Sequence, residues 1–438
     1  MKKNLSVLAS EIVERCAQKG ATETELTLGK SRSFTLLSRL GEIESIEYES
    51  DVELDVTVYL GRRKGMASTT DLSDDSIRLI IDKAHAIAKQ AQEDPYAGLA
   101  DASLMPETVL DLDLYHPWAL TPEEAKEKTI ACEQLAMAQD KRITNSEGCS
   151  VTVGEGESVY ANSHGFVGEM KATHHDISCS LIAEANGEKQ RDYSYTVATR
   201  REDLEDWSWV AKDVAQKTVR RLNAQTMKTC KTPVVFSASV ARSLLRSFVA
   251  AISGGSLYRE SSFLLNHLGQ QLFPSDITIY EEPHLLRGLG SAPFDADGVS
   301  TYEKNFVTDG VLSSYSLGDY AAKRLKMKTT ANSGGVHNLQ ITHSDKNLSA
   351  LLQEMNQGLL VTELIGQGVN IVTGDYSRGV FGYWVENGEI QYPVHEITIA
   401  SNLKEMFKRI VAVGNDVDKR SSIQTGSILI EEMMLAGN

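Results

Sequence analysis

The sequence predicts an α+β fold of two lobes: N-terminal α/β units built on antiparallel sheet, and a mainly β C-terminal domain. Two observations carry this. Over 52–60, Val52, Leu54, Val56, Val58 and Leu60 alternate with polar residues, the period of a half-buried strand. Asn186-Gly187, Asp309-Gly310 and Asn387-Gly388 each sit between strand-like runs and signal a tight antiparallel hairpin.

In order along the chain, residues 4–19 form an amphipathic helix, with Leu5, Leu8, Ile12 and Val13 at helical spacing, and Gly20 ends it. Short strands are expected at 25–28 and 34–40. The acidic run Glu42, Glu44, Glu47, Glu49 and Asp51 reads as a solvated face. Ile77, Ile80, Ile81, Ala84 and Ala88 make a second helix. Segment 93–118 holds Pro95, Pro106 and Pro117, a third of the nine prolines, with no sustained periodicity. It reads as the linker between lobes and closes a first unit at 1–118.

Thr121-Pro122-Glu123-Glu124 opens the next helix with a capping residue, a first-turn proline and a carboxylate three residues on. A β-meander over 149–199 and a helix over 204–222 complete a second unit, 119–230. The third, 231–438, is rich in short strands, with helices at 348–357 and 403–410. Near its start the apolar Val234, Val235 and Phe236 lead into a helix over 238–252. Its Val240, Leu244, Leu245, Phe248, Val249 and Ile252 share one face and read as core. Ser253-Gly254-Gly255 reads as its C-terminal stop.

At 438 residues the chain has room for two or three cores. Its 44 basic against 60 acidic residues, a formal charge of −16, disfavour nucleic acid or an anionic membrane as a direct partner. Five widely spaced cysteines without a Cys-x-x-Cys pair read as free thiols of a reducing compartment. Glu11, Glu14 and Arg15 interrupt any signal-peptide core, and no apolar run reaches the ~18 residues a membrane span needs. The expected location is the cytoplasm.

Ordinary catalytic patterns are missing. His174 and His175 are adjacent, so on a strand they face opposite ways and read as surface polar residues. His337 and His343 could share a strand face but lack a third ligand at fixed spacing. Ser253-Gly254-Gly255 and Ser333-Gly334-Gly335 do not continue into a phosphate-binding loop, and there is no G-x-S-x-G elbow.

Five strings stand out, in this order: Gly254-Gly255-Ser256-Leu257-Tyr258-Arg259-Glu260-Ser261-Ser262-Phe263-Leu264, Ala292-Pro293-Phe294-Asp295, Ser316-Leu317-Gly318-Asp319-Tyr320, Thr373-Gly374-Asp375-Tyr376-Ser377-Arg378-Gly379 and Trp384-Val385-Glu386-Asn387-Gly388-Glu389. Together they resemble the TldD/PmbA family, also labelled modulators of DNA gyrase. Over nearly its whole length the chain is similar to the PmbA (TldE) branch.

TldD-type members carry His-Glu-x-x-x-His on the helix before the first string, supplying two imidazoles to zinc and a carboxylate to activate water. Aligning the preceding Leu-Leu pair puts Arg246, Ser247 and Ala251 at those positions, and Val413 at that of the family's third ligand, a cysteine. A guanidinium has no lone pair to offer, and alanine and valine are no ligands. The resemblance therefore implies no catalytic residue and no metal in this chain. Zinc is expected only in a TldD-like partner, with which the chain would form a heterodimeric peptidase acting on small or unfolded peptides. It further implies that Gly374, Asp375, Tyr376, Ser377 and Arg378 line a substrate cleft, although the same string also reads as a structural turn with glycines at positive φ. Two alternatives stand beside it: a non-enzymatic peptide-binding or scaffold homodimer, and a hydrolase using another residue.

Overall fold

The structure, a computed structural model, describes residues 4–437. Its N-terminal half is organised on one strand. β1 (Glu23–Arg39) pairs with β2 (Glu42–Leu60) through a two-residue turn at Leu40 and Gly41, whose φ values of 52° and 83° are those of a type I′ hairpin. The two short strands expected at 25–28 and 34–40 are thus one, because β1 has a partner along both edges. The acidic run forms the first half of β2 and lies exposed, as expected.

β3 (Arg63–Thr69), β4 (Ile143–Asn162), β5 (Val167–Ala185) and β6 (Glu188–Ala198) complete an antiparallel six-stranded sheet of order β3-β2-β1-β4-β5-β6. Helices α1 (Leu5–Gln18) and α2 (Asp74–Gln90) bury their apolar stripes on Leu26, Leu28, Leu54, Val56 and Val159. Helices α3 (Pro122–Met137) and α4 (Trp207–Arg220) do so on Leu36, Val151, Ile177 and Leu181. Asn4 caps α1, and Thr121 and Glu124 form the reciprocal capping box of α3.

This topology shows what segment 93–118, read as a linker, is in the fold. Segment 93–118 is not a hinge, since β1 before it and β4 after it are hydrogen-bonded neighbours. Its Leu99, Ala100, Leu112 and Leu114 are buried, and the Leu112 and Leu114 carbonyls accept from the Arg287 and Thr173 amides at 3.0 and 2.9 Å. Proline-rich composition signals the absence of a helix or strand, and backbone bonds to two other parts of the molecule turn the segment into a fixed strap. The change of sheet falls after α4.

The second half contains, in order, β7 (Cys230–Phe236), α5 (Ala238–Ile252), α6 (Gly254–Tyr258), β8 (Ile279–Glu281), β9 (Lys304–Thr308), β10 (Val311–Leu312), α7 (Asp319–Leu325) and β11 (Leu339–Ile341). Then come α8 (Leu348–Met355), β12 (Gly358–Ile365), β13 (Asp375–Glu386), β14 (Glu389–Asn402), α9 (Leu403–Lys408), β15 (Ile410–Val413), β16 (Ile423–Gln424) and β17 (Ile428–Ala436). One sheet runs β10-β9-β8-β11-β16. The other runs β14-β13-β12-β7-β17-β15 and curls until β14 also pairs with β17, closing on itself. Val234 and Phe236 of β7 join the α5 face in the largest core, while Val235 points the other way, to Leu351 and Met355 of α8. The hairpin turns at Asn186-Gly187, Asp309-Gly310 and Asn387-Gly388 have left-handed φ at both residues, 53° and 82°, 48° and 77°, 53° and 75°, as their hairpins require. Among the described residues no helix is long and apolar enough to cross a membrane.

Candidate functional site

Helix α5 carries Arg246, Ser247 and Ala251, three of the four positions that the resemblance aligns with zinc ligands, and their surroundings decide what they can do. Arg246 is exposed. The Ser247 hydroxyl donates back to the Ser243 carbonyl at 3.0 Å, the usual way a mid-helix serine is satisfied. Ala251 is fully buried in the core. Val413, on β15, is buried too, and its carbonyl accepts from the amide and hydroxyl of Ser344. None of the four side chains offers a lone pair directed at a shared point, so these positions do not fit a zinc ion.

The motif strings nonetheless meet, around α6. Ser253 ends α5 in an extended conformation and at once caps α6, accepting from the Ser256 amide. This corrects the reading of Gly254 and Gly255 as a helix stop: both lie inside α6, neither at positive φ. The glycine at 254 serves close approach instead, because a Cβ there would stand 2.4 Å from the Ala321 Cβ on α7. The Gly254 amide bonds the Ser316 carbonyl at 2.8 Å, and Ser316 bonds back to Ile252. Further on, Asp319 donates its amide to Asp297 Oδ2 at 2.9 Å. Asp295 accepts from the amides of Asp297, Val299 and Ser333. Burial first, and then the neighbouring Asp297 carboxylate, push its carboxyl up to about 7 against those three donors.

This junction abuts the six-stranded sheet, and a cavity of about 300 Å³ lies at the seam. Glu25 of β1, Tyr59 of β2, Asp94, Asp297, Asp319 and Tyr320 are among its walls. Tyr59 and Tyr160 donate to the two oxygens of Glu25 at 2.8 and 3.1 Å, and Tyr160 also reaches the Asp297 carbonyl. Desolvation raises the Glu25 carboxyl and, on the other wall, that of Asp319, although Lys323 pairs with the latter at 2.5 Å. Tyr320 donates to Asp94 at 2.7 Å, while the Arg324 guanidinium stacks on Tyr258 and Tyr96. Carboxyl groups raised by burial in a cleft, with tyrosines and a lysine beside them, can bind an amine or keep a proton to higher pH than a solvated carboxyl does.

The candidate cleft string 374–378 is not a free loop. Gly374, at φ 83°, turns the chain into β13, which begins at Asp375. Strand alternation then divides the rest. Asp375 and Ser377 are exposed, whereas Tyr376 is buried with its ring edge-on to Phe236 and its hydroxyl unpaired. Arg378 is half-buried with an unpaired Nε. Of the histidines, His174 is exposed but His175 is fully buried, bonding the His116 carbonyl at 2.9 Å, so only the first is a surface residue. His337 lies 3.3 Å from the buried Glu281, which Lys304 also pairs at 2.9 Å, and His343 is not part of that network.

Sequence reasoning singled out Asp295 and Asp319 within their strings but missed Glu25, Tyr59 and Tyr160. In the alternation of β1, β2 and β4 they occupy the polar face, which looks like solvent until the second half of the chain covers it.

Fold and site together define the class: an α+β scaffold of metallopeptidase type. The chain belongs to the PmbA/TldD metallopeptidase family. Models described as PmbA/TldA metallopeptidase domain 1, central domain and C-terminal domain match residues 24–88, 115–222 and 229–437. It is 47% identical over 413 residues to the metalloprotease PmbA of Escherichia coli O157:H7, covering 94% of this chain and 92% of that one. A Haemophilus influenzae metalloprotease PmbA homolog is 45% identical, with 96% and 94% covered. Among solved structures, a Bacteroides thetaiotaomicron protein described as a candidate modulator of DNA gyrase superposes with TM-score 0.94 at 27% identity, over all of both chains. TldE from Thermococcus kodakarensis shares the fold, with TM-score 0.85 at 22% identity over 98% of this chain and 100% of that one.

Proposed function

We propose that the chain is the metal-free subunit of a TldD/TldE-type zinc peptidase that processes or degrades small or unfolded peptides. The observation that carries this reading is the state of the four ligand positions: an exposed guanidinium at Arg246, a self-satisfied serine at Ser247, and buried apolar side chains at Ala251 and Val413. Zinc hydrolysis needs about three protein ligands, an open position for water and a base. A partner carrying His-Glu-x-x-x-His would supply them, and this chain would hold that partner and shape the substrate groove. Peptide addition at the β14 edge is narrowed, because Thr398, Ile399 and Ala400 already pair with β17. The acidic seam cavity, with Glu25 and Asp319 on opposite walls, suits a peptide's amine better. The net charge of −16 argues against direct DNA binding as the basis of the gyrase label.

The name metalloprotease borne by the relatives favours a second reading, in which the chain hydrolyses peptides by itself. The two are separated by assaying hydrolysis of an unstructured peptide with the chain alone, then with a His-Glu-x-x-x-His relative, with and without a chelator. The expected result is no activity alone, co-elution with the relative, and activity of the mixture that the chelator abolishes. Chelator-sensitive turnover by the lone chain overturns the proposal. A homodimer that binds peptide but ignores the relative points to the scaffold alternative.

A further inference from the structure

Away from this junction, three of the five cysteines converge. Cys132 lies on the sheet-facing stripe of α3, with Ala125, Thr129 and Ala136. Cys149 of β4 and Cys179 of β5 are direct cross-strand partners beneath it. The three Sγ atoms all lie within 4.8 Å of one another, and the residues are between 0% and 2% exposed. A single buried cysteine packs as a small apolar residue. Three sulfurs from one helix and two strands this close together make a ligand set as well, and the Cys132 thiol has a further contact, donating to the Trp207 carbonyl at 3.4 Å.

We infer that Cys132, Cys149 and Cys179 form a three-sulfur site for a soft monovalent cation, cuprous copper. Geometry permits it: with metal–sulfur bonds of about 2.3 Å, a planar three-coordinate ion sets its sulfurs about 4.0 Å apart, under an ångström from the present arrangement. Ligand type selects the ion. Among the described residues no histidine, aspartate, glutamate or further cysteine joins the group, so the closed four-ligand set of structural zinc is not there. Magnesium, calcium and manganese want oxygen ligands, and thiolate sets favour copper(I). Ala125, Ala136, Ile177, Leu181, Val210 and Ala211 belong to the same apolar core, which keeps water from supplying a fourth ligand. Each sulfur that ligates as thiolate releases its proton to solvent, and no electron is transferred. Because the cysteines are sealed, the ion enters as the chain folds. The site is independent of the peptidase reading.

The test uses the full chain, produced in medium supplemented with copper or with zinc and purified without oxygen. Each sample is challenged with excess chelator, bathocuproine disulfonate for copper(I) and EDTA for zinc. Metal per chain and near-ultraviolet thiolate-to-copper absorption are then measured. The expected result is one copper per chain, retained by Cys16→Ser and Cys230→Ser and lost from Cys149→Ser and Cys179→Ser. Where a buried serine prevents folding, Cys132→Ala and Cys149→Ala keep the core apolar and make the same comparison. A copper-free parent chain, equal retention by the variants, or zinc held in place of copper would each overturn the assignment.

Discussion

Replacing Phe248 by alanine tests whether α5, the helix that carries Arg246, Ser247 and Ala251, is a core element. Phe248 is fully buried, and its ring meets those of Phe273 and Phe407 edge-on, at centroid distances of 5.4 and 6.0 Å. Those two rings stack on each other at 4.8 Å, so the cavity left by truncation opens against a rigid aromatic wall that collapses poorly. Large aromatic truncations in such sites cost about 3–5 kcal/mol. Each edge-on pair adds about 0.5–1.5 kcal/mol beyond area, which places this variant toward the upper end. For a unit of roughly 200 residues each kcal/mol moves the thermal midpoint by about 2–4 °C, so a fall of about 6–20 °C is expected. Near-ultraviolet circular dichroism follows the melt, because it reports packing of the aromatic cluster itself. Arg246→Ala, on the same helix but exposed, is the control and should stay within about 0.5 kcal/mol. Equal, small shifts in both variants would refute the view that α5 is held by its buried face.

Two further outcomes follow from the motif junction. Gly254→Ala places a methyl 2.4 Å from the Ala321 Cβ and should destabilise by about 1–3 kcal/mol, as overpacking does. Gly255→Ala meets only the movable end of Arg259 at 3.2 Å and should be neutral or slightly stabilising, so the two urea midpoints should diverge; matching midpoints would contradict the close-approach argument. Asp295, at about 7 when folded and 3.8 otherwise, binds a proton in the folded chain that the unfolded chain has already released over that interval. Its contribution to stability is therefore present below the lower value and is lost as pH rises to about 7. Asp295→Asn should gain on the parent chain between pH 4 and 7, and parallel stability profiles would exclude the shift.

What the sequence determined by itself was local. Alternation over 52–60, the capping box at Thr121 and Glu124, and the three glycine hairpins needed only neighbouring residues, and the structure has each in place. The motif strings were equally readable from residue identity, and identity sufficed to place the chain in its family. Tertiary structure decided what depends on long-range pairing. Composition made 93–118 a linker, but its buried leucines and borrowed backbone bonds make it a strap across one continuous sheet. Gly254 read as a stop because a helix end and a close helix approach call for the same residue, and only the position of Ala321 separates them. The start of the strand at 375–386 hid inside a glycine-rich string: Asn387-Gly388 signals its hairpin with β14, but Asp375, Tyr376 and Ser377 pair at the far end of that hairpin, with Asn402, Ser401 and Ala400. Glu25, Tyr59 and Tyr160 alternate like solvent-facing residues, and Cys132, Cys149 and Cys179 stand far apart in the chain. Burial and proximity arise only when distant elements pack, and no local pattern records them.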